Sequence, residues 1–176
     1  MVSQRLWSPW RLEYVAAATD ETSACPFCTD RQTADGLPEL IVKAGRLTYA
    51  TLNLFPYNNG HLMVLPYRHV ADIVDLTPDE AAELMHLLTQ GRMALGDALG
   101  PDAFNVGMNL GRAAGAGIPA HLHFHLVPRW EGDTSFMAVT ADTKVLPESL
   151  DQTKRRLIEA WPGDDEAARA RPPAAG

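Results

Sequence analysis

The run Ala120-His121-Leu122-His123-Phe124-His125-Leu126-Val127-Pro128-Arg129 constrains this chain more than any other stretch. Imidazoles alternate with apolar side chains over five positions, the pattern of a half-buried β-strand whose successive side chains point to opposite faces. His121, His123 and His125 therefore share one face, while Leu122, Phe124 and Leu126 turn toward a core. Three of the six histidines fall within these five residues, so a purely structural origin would have to explain clustering as well as composition. Imidazoles titrate near neutral pH and bind metals or anions. A rise of about 3.3 Å per residue sets neighbours in the row about 6.6 Å apart and the outer two about 13 Å apart. One metal ion cannot hold all three.

A chain of 176 residues is long enough for one well-buried core and too short for two comfortable ones. The reading is a single domain over residues 1–161, with the Ala-, Pro-, Gly- and charge-rich stretch 162–176 as a disordered tail. A net charge of −7 and a pI near 5.3 argue against a nucleic-acid duplex as partner, since duplex binding is carried by Lys and Arg. Small anions remain open to it, because the field in a cleft can oppose the net charge. No run approaches the roughly 20 apolar residues of a membrane span. Met1-Val2-Ser3-Gln4-Arg5 is not followed by an apolar signal core, so no membrane and a cytoplasmic location are expected.

The two cysteines, Cys25 and Cys28, are spaced C-x-x-C, which reads as half a zinc site or a redox pair. A thioredoxin-like motif would follow a strand, whereas Cys25-Pro26-Phe27-Cys28 follows the polar segment Thr19 to Ser23. Zinc fits better. Upstream, Ser8 and Pro9 suit a short helix within Leu6 to Ala18, with Trp7 and Trp10 as an anchor or a binding wall.

Strand patterns follow at Leu40–Lys43 and Leu47–Asn53, then a turn-rich loop Pro56-Tyr57-Asn58-Asn59-Gly60 and a strand from His61 to Pro66. Thr77-Pro78-Asp79-Glu80 opens a helix with a capping box and runs to about Leu99, its apolar side carrying Ala81, Leu84, Met85, Leu88 and Leu95. Gly91 weakens that helix without ending it, and His86 reads as structural or solvated. Phe104–Leu110 forms another strand. The loop Gly111 to Gly117 is made of small residues, apart from Arg112, that let backbone amides approach a ligand. A short strand near Phe136–Val139 and a helix from about Pro147 to Trp161 close the domain.

His121-x-His123-x-His125-Leu126-Val127-Pro128-Arg129, with Asn53, Gly60-His61 and Asn109 upstream of it, resembles the histidine-triad family. Trp7-Ser8-Pro9-Trp10-Arg11 and Pro128-Arg129-Trp130 with Asp133 and Phe136 are most similar to its bacterial branch that includes diadenosine tetraphosphate phosphorylases. The resemblance implies an α+β fold in which an antiparallel β-sheet carries a long helix and a C-terminal helix, usually as a homodimer. It implies a nucleotidyl hydrolase or phosphorylase that cleaves dinucleoside polyphosphates at the α-phosphate. His123 would be the nucleophile and form a nucleotidyl-histidine, and His125 would bond the α-phosphate or departing group, with His61 at the edge of the site. Asn53 matches a ribose-binding position and Asn109 an amide near the phosphates. Backbone amides of Gly115, Ala116 and Gly117 would hold phosphate oxygens. In zinc-bearing relatives the corresponding ligands imply a structural Zn2+ on Cys25, Cys28, His69 and His121, a closed Cys2His2 set.

The chemistry is sound on its own terms. A neutral imidazole is a competent nucleophile at pH 7, since a free histidine side chain titrates at about 6.5. Attack by one ring nitrogen requires the other to be held as an N–H donor, commonly to a backbone carbonyl. This sequence departs from the family four and three positions before the first histidine, where Gly117 and Ile118 replace a glutamine and a hydroxyl residue. No side chain there can donate to a leaving group. The competing readings are a purine nucleoside phosphoramidase, a nucleotide-binding module without turnover, and a zinc hydrolase using two triad histidines and a metal-bound water.

Overall fold

Five strands and two helices organise the described residues, 25–28, 40–133 and 146–163, of this computed structural model. The helix expected within Leu6–Ala18, the strand near Phe136–Val139 and all but the first two residues of the expected tail lie outside them. In chain order the elements are β1 (Ile41–Ala44), β2 (Thr48–Leu52), β3 (Leu62–Pro66), α1 (Pro78–Leu99), β4 (Ala103–Met108), β5 (Phe124–Arg129) and α2 (Leu150–Glu159). The strands form one antiparallel sheet in the order β1-β2-β3-β5-β4. The expected α+β architecture, a long helix and a C-terminal helix on an antiparallel sheet, is the one observed.

Each face of the sheet has its own work. Val42, Ala50, Leu52, Leu62, Val64, Phe124 and Leu126 point to the helices and form the main core with Leu84, Leu87, Leu88, Ala94, Leu95 and Leu157. Ile41, Tyr49, Met63 and Leu65 point the other way, with Phe27 and Tyr67 packed on them. Met63 faces His125 across the β3–β5 pair, so this second face is the one that carries His125.

Helix α1 begins where its sequence predicts. The Glu80 N–H donates to Thr77 Oγ1 (3.2 Å) and the Thr77 N–H donates back to Glu80 Oε2 (2.8 Å), a reciprocal cap. Arg68 also donates to Glu80 (2.7 Å). The Arg68 bond leads the influences that hold the Glu80 carboxyl down at about 2. One turn later Glu83 accepts the backbone N–H groups of Arg46 (2.6 Å), Leu47 (2.6 Å) and Thr48 (3.0 Å). The carboxylate thereby locks the β1–β2 turn onto the helix.

The buried stripe of α1 contains Leu84, Leu87, Leu88, Gly91, Ala94 and Leu95. Met85, expected on the apolar side, is 57% exposed. At 100° per residue it stands about 200° from Leu87, which takes the core position instead. Gly91 proves to be a contact rather than only a weak point: a Cβ there would lie 2.7 Å from Leu62 Cδ2, so its absence lets α1 lie close to β3. No helix among the described residues is long and apolar enough to cross a membrane.

The histidine row departs from its expected form. The strand starts at Phe124, so His121 and His123 precede it. Val64 faces Phe124, and two positions further that register would oppose Leu122 to Pro66, which has no N–H to continue the ladder. Leu122 donates its N–H to the Val70 carbonyl instead (2.6 Å), and the Pro66 carbonyl takes the ring of His121 (2.9 Å).

Candidate active site

The loop between β2 and β3 carries His61 to the foot of the triad. Gly60 adopts φ 72°, the left-handed region that glycine enters without strain. A Cβ at that position would stand 2.5 Å from Leu99 Cδ1. Asn58 pins the loop by donating to the Pro128 carbonyl (3.0 Å) and to Asp133 (2.8 Å). His61 is then fully enclosed.

Tautomers follow from hydrogen-bond partners whose roles are fixed. The Tyr57 backbone N–H donates to His61 Nδ1 (3.0 Å), so that nitrogen carries a lone pair. Asn53 Nδ2 stands 3.4 Å from the same nitrogen. Burial first, then the neighbouring His125 and His123, push the His61 pKa down to about 3, so the ring is neutral and its single proton sits on Nε2. That proton is donated to His125 Nδ1 at 2.9 Å. A neutral His125 must therefore carry its own proton on Nε2, as a donor.

His123 is set the opposite way. Its Nδ1–H donates to the His121 backbone carbonyl (2.8 Å), which leaves Nε2 with the lone pair. Burial lowers its pKa, and the bond to the carbonyl opposes that shift. The His123 and His125 rings meet edge to face, 4.9 Å between centroids. An imidazole with a free lone pair thus stands beside one with an N–H to donate, the pairing that suits nucleophilic attack with hydrogen-bond stabilisation of a leaving group.

His121 belongs to a different cluster. Its Nδ1 lies 3.4 Å from Cys25 Sγ and 3.7 Å from Cys28 Sγ, and His69 Nδ1 lies 3.1 Å from Cys28 Sγ. The four donor atoms fall within 4.8 Å of one another. Tetrahedral zinc with bonds of about 2.0–2.3 Å places its ligand atoms about 3.3–3.8 Å apart, so the donor set fits that ion. The bond between His121 Nε2 and the Pro66 carbonyl fixes the tautomer that presents Nδ1 to a metal. Only one triad histidine is in this cluster, which speaks against a metal-bound water held by two of them. Phe27, between the cysteines, packs against two triad rings: it is 5.6 Å from His121, edge to face, and 5.2 Å from His123, tilted.

Residues 36–132 match the HIT domain. The chain is 44% identical over 165 residues to a Mycobacterium tuberculosis protein named AP-4-A phosphorylase, covering 90% of this chain and 84% of that one. The chain belongs to the HIT domain family. A Schizosaccharomyces pombe bis(5'-nucleosyl)-tetraphosphatase (asymmetrical) is 34% identical over 90 residues, 51% of this chain and 49% of its own. The fold also superposes on a Zn-bound histidine triad family protein from Mycobacterium smegmatis, with TM-score 0.59, 26% identity and coverage of 78% of this chain and 92% of that one.

Within this HIT domain the residues singled out in the sequence fall into three groups. His61, His123 and His125 meet, with Asn53 against His61. Cys25, Cys28, His69 and His121 meet separately. Asn109 lines a cavity with His125, and its Nδ2 stands 3.5 Å from the Gly115 carbonyl. The loop amides differ from expectation. The Gly115 N–H donates to Arg112 O (2.9 Å) and the Ala116 N–H to Gly111 O (3.3 Å), because the Arg112–Ala114 stretch winds into a 3₁₀ turn. Those two amides hold the loop's own shape, and Gly117 is the residue of the three whose amide stands outside these bonds.

Sequence patterns alone do not single out Tyr57 or Phe27 as site residues. Tyr57 sits in a run of turn formers, yet its ring lies 4.5 Å from His61 and 5.6 Å from His125. Phe27 has the place of a spacer between two cysteines. An aromatic set inside a ligand motif is the signal that could have found it.

Proposed function

We propose that this HIT protein is an enzyme that cleaves dinucleoside polyphosphates such as diadenosine tetraphosphate at the α-phosphate. His123 Nε2 attacks the α-phosphorus, forming an N–P bond as the bridging P–O bond breaks. The departing nucleoside polyphosphate takes the electron pair and leaves as an anion, its oxygen accepting a hydrogen bond from the Nε2–H of His125. His61 keeps its Nε2–H on His125 Nδ1 throughout and so holds that ring with its own Nε2–H toward the leaving oxygen. An incoming phosphate, or water, then displaces His123 and regenerates the free imidazole. Phosphate is the acceptor favoured by the likeness to the AP-4-A phosphorylase. Asn53 serves the ribose, and Asn109 with the backbone amide of Gly117 the phosphates.

The observation that carries this reading is the bond from His123 Nδ1 to the His121 carbonyl, which turns the lone pair of the middle histidine outward while its neighbour stays a donor. Cys25, Cys28, His69 and His121 hold a structural zinc ion in this reading, which ties the knuckle to the triad and supplies no group to the reaction. The domain spans residues 1–161, and a cytoplasmic location goes with reduced cysteines. A homodimer is proposed through β4: it is one of the two terminal strands of the sheet, is largely exposed, and, unlike β1 with its Lys43, contains neither charge nor proline to discourage pairing.

Intact-mass measurement after brief incubation with diadenosine tetraphosphate tests the reading. An adenylyl adduct, base-stable, acid-labile and absent from His123→Ala, is expected. Nucleoside diphosphate formed only when phosphate is added identifies phosphorolysis. A wild-type protein that binds the dinucleotide and never gains mass would leave a binding module in place of an enzyme.

A further inference from the structure

Gly107 is a strand glycine that no contact among the described residues explains. Gly107 lies inside β4, directly opposite His125 in the β4–β5 register. It is not among the glycines with positive φ, and a Cβ built on it would meet nothing within 4 Å. Among the described residues, neither a turn nor a close approach requires it. Glycine in a strand interior weakens the strand and marks a place where something else comes near.

What Gly107 leaves open is a cavity of about 360 Å³. Directly opposed residues of an antiparallel pair share a face. The floor therefore runs from Gly107 and His125, past Asn105 and Val127, to Arg129 at the far end of β5. Four residues of strand carry it about 13 Å beyond His125. A single amine or phosphate leaving group would end near His125, and the groove continues well past that point. Tyr57 forms one wall, its half-exposed ring tilted over His61 and His125.

Arg129 is held in a fixed plane at the distal end. Its Nε and Nη2 donate to Asp133 (2.6 and 2.8 Å), and Nη1 donates to Asn105 Oδ1 (2.9 Å). A guanidinium has five N–H donors, so two stand outside these bonds on a side chain that lines the groove. In a chain of net charge −7, it is the cation among the groove-lining residues.

We infer that this groove seats the departing half of the substrate, a nucleoside polyphosphate, with Gly107 leaving room for it beside His125, Tyr57 as the surface it packs on and Arg129 as its distal anchor. The inference rests on the dinucleotide-cleaving reading above and adds to it the residues that select a long leaving group over a short one.

Binding separates the two halves of the substrate. Calorimetry would compare Kd for AMP, which occupies only the nucleophile side, with Kd for a non-hydrolysable methylene analogue of diadenosine tetraphosphate. The wild-type protein should prefer the dinucleotide. Gly107→Leu, which adds side chain to open space, should cut the ratio of the two Kd values about tenfold. The double variant Arg129→Gln/Asp133→Asn, which avoids stranding a buried carboxylate, should cut it about threefold to tenfold. Equal weakening of both ligands, an unaltered ratio, or a wild-type protein that holds AMP as tightly as the dinucleotide would each overturn the assignment. If the adenylyl-His123 adduct still forms in that event, only the groove is wrong. If no adduct forms and neither ligand binds, the reading of function falls with it.

Discussion

His121 and His123 are two residues apart, are both buried and share a ring neighbour in Phe27, yet the geometry fits them for unrelated work. The difference lies in which nitrogen meets a main-chain carbonyl. In His121 it is Nε2, bound to Pro66, and Nδ1 is offered to the cysteine sulfurs. In His123 it is Nδ1, bound to His121, and Nε2 is left with the lone pair. An imidazole has one proton to place when neutral, so whichever carbonyl claims it decides what the rest of the ring can do. The fold makes that decision through Pro66, whose missing N–H ends the β3–β5 ladder and leaves its carbonyl for a side chain.

Breaking the two sites separately should give different losses. His123→Ala should lower kcat by at least about 10⁴-fold while leaving the thermal transition nearly in place, since it removes the nucleophile itself. Steady-state turnover beside a melting curve checks this, and normal rates would overturn the role of His123. His61→Leu keeps the volume but deletes the donor to His125, and should reduce kcat about 10- to 100-fold, less than the loss of a group that itself touches the substrate because His125 remains. A variant with the same kcat but a poorer KM would make His61 a binding residue instead.

Cys25→Ala should act on stability and metal content. A loss of about 2 kcal/mol would lower Tm by about 4–8 °C in a domain of this size, with zinc measured by elemental analysis falling in parallel. Full zinc content in the variant would refute the ligand set. The smallest effect sharpens the comparison through pH. His61 is held near 3 by burial, below its unfolded value of about 6.5. The unfolded chain thus binds the proton more readily, and stability is lost as pH falls from about 6.5 toward 3. Glu80, held near 2 with the Arg68 bond leading, adds a second loss between about pH 4.5 and 2. That loss is of order 2 kcal/mol once the half-exposed Arg68 is discounted. In His61→Leu the upper part of the acid transition should flatten while the Glu80 part remains, and denaturant titrations at several pH values would resolve the two.

Much of this is legible in the residues. Thr77-Pro78-Asp79-Glu80 marks the start of α1 because capping is local chemistry, and the alternation from Leu122 to Leu126 identifies a core face because it depends only on side-chain polarity. The four ligand-type residues at 25, 28, 69 and 121 are readable through resemblance, since no local rule joins positions so far apart. Three features are not readable. Met85 is apolar enough for the core, but the face of a helix is chosen by the sheet it meets. The loop amides of Gly115 and Ala116 look available in the sequence, yet a 3₁₀ turn uses them. Gly107 looks like any glycine until the empty space above it is measured, because an absent side chain carries information only once its surroundings are placed.

The two acceptors that assign His121 and His123 their tasks are peptide oxygens, of Pro66 and of His121 itself. Exchanging side chains at those positions leaves both oxygens in the chain. A conventional alanine scan would therefore score the histidines as self-sufficient and pass over the atoms that instruct them. Replacing a single amide with an ester, which weakens the carbonyl as an acceptor, is the kind of edit to which this site would be sensitive.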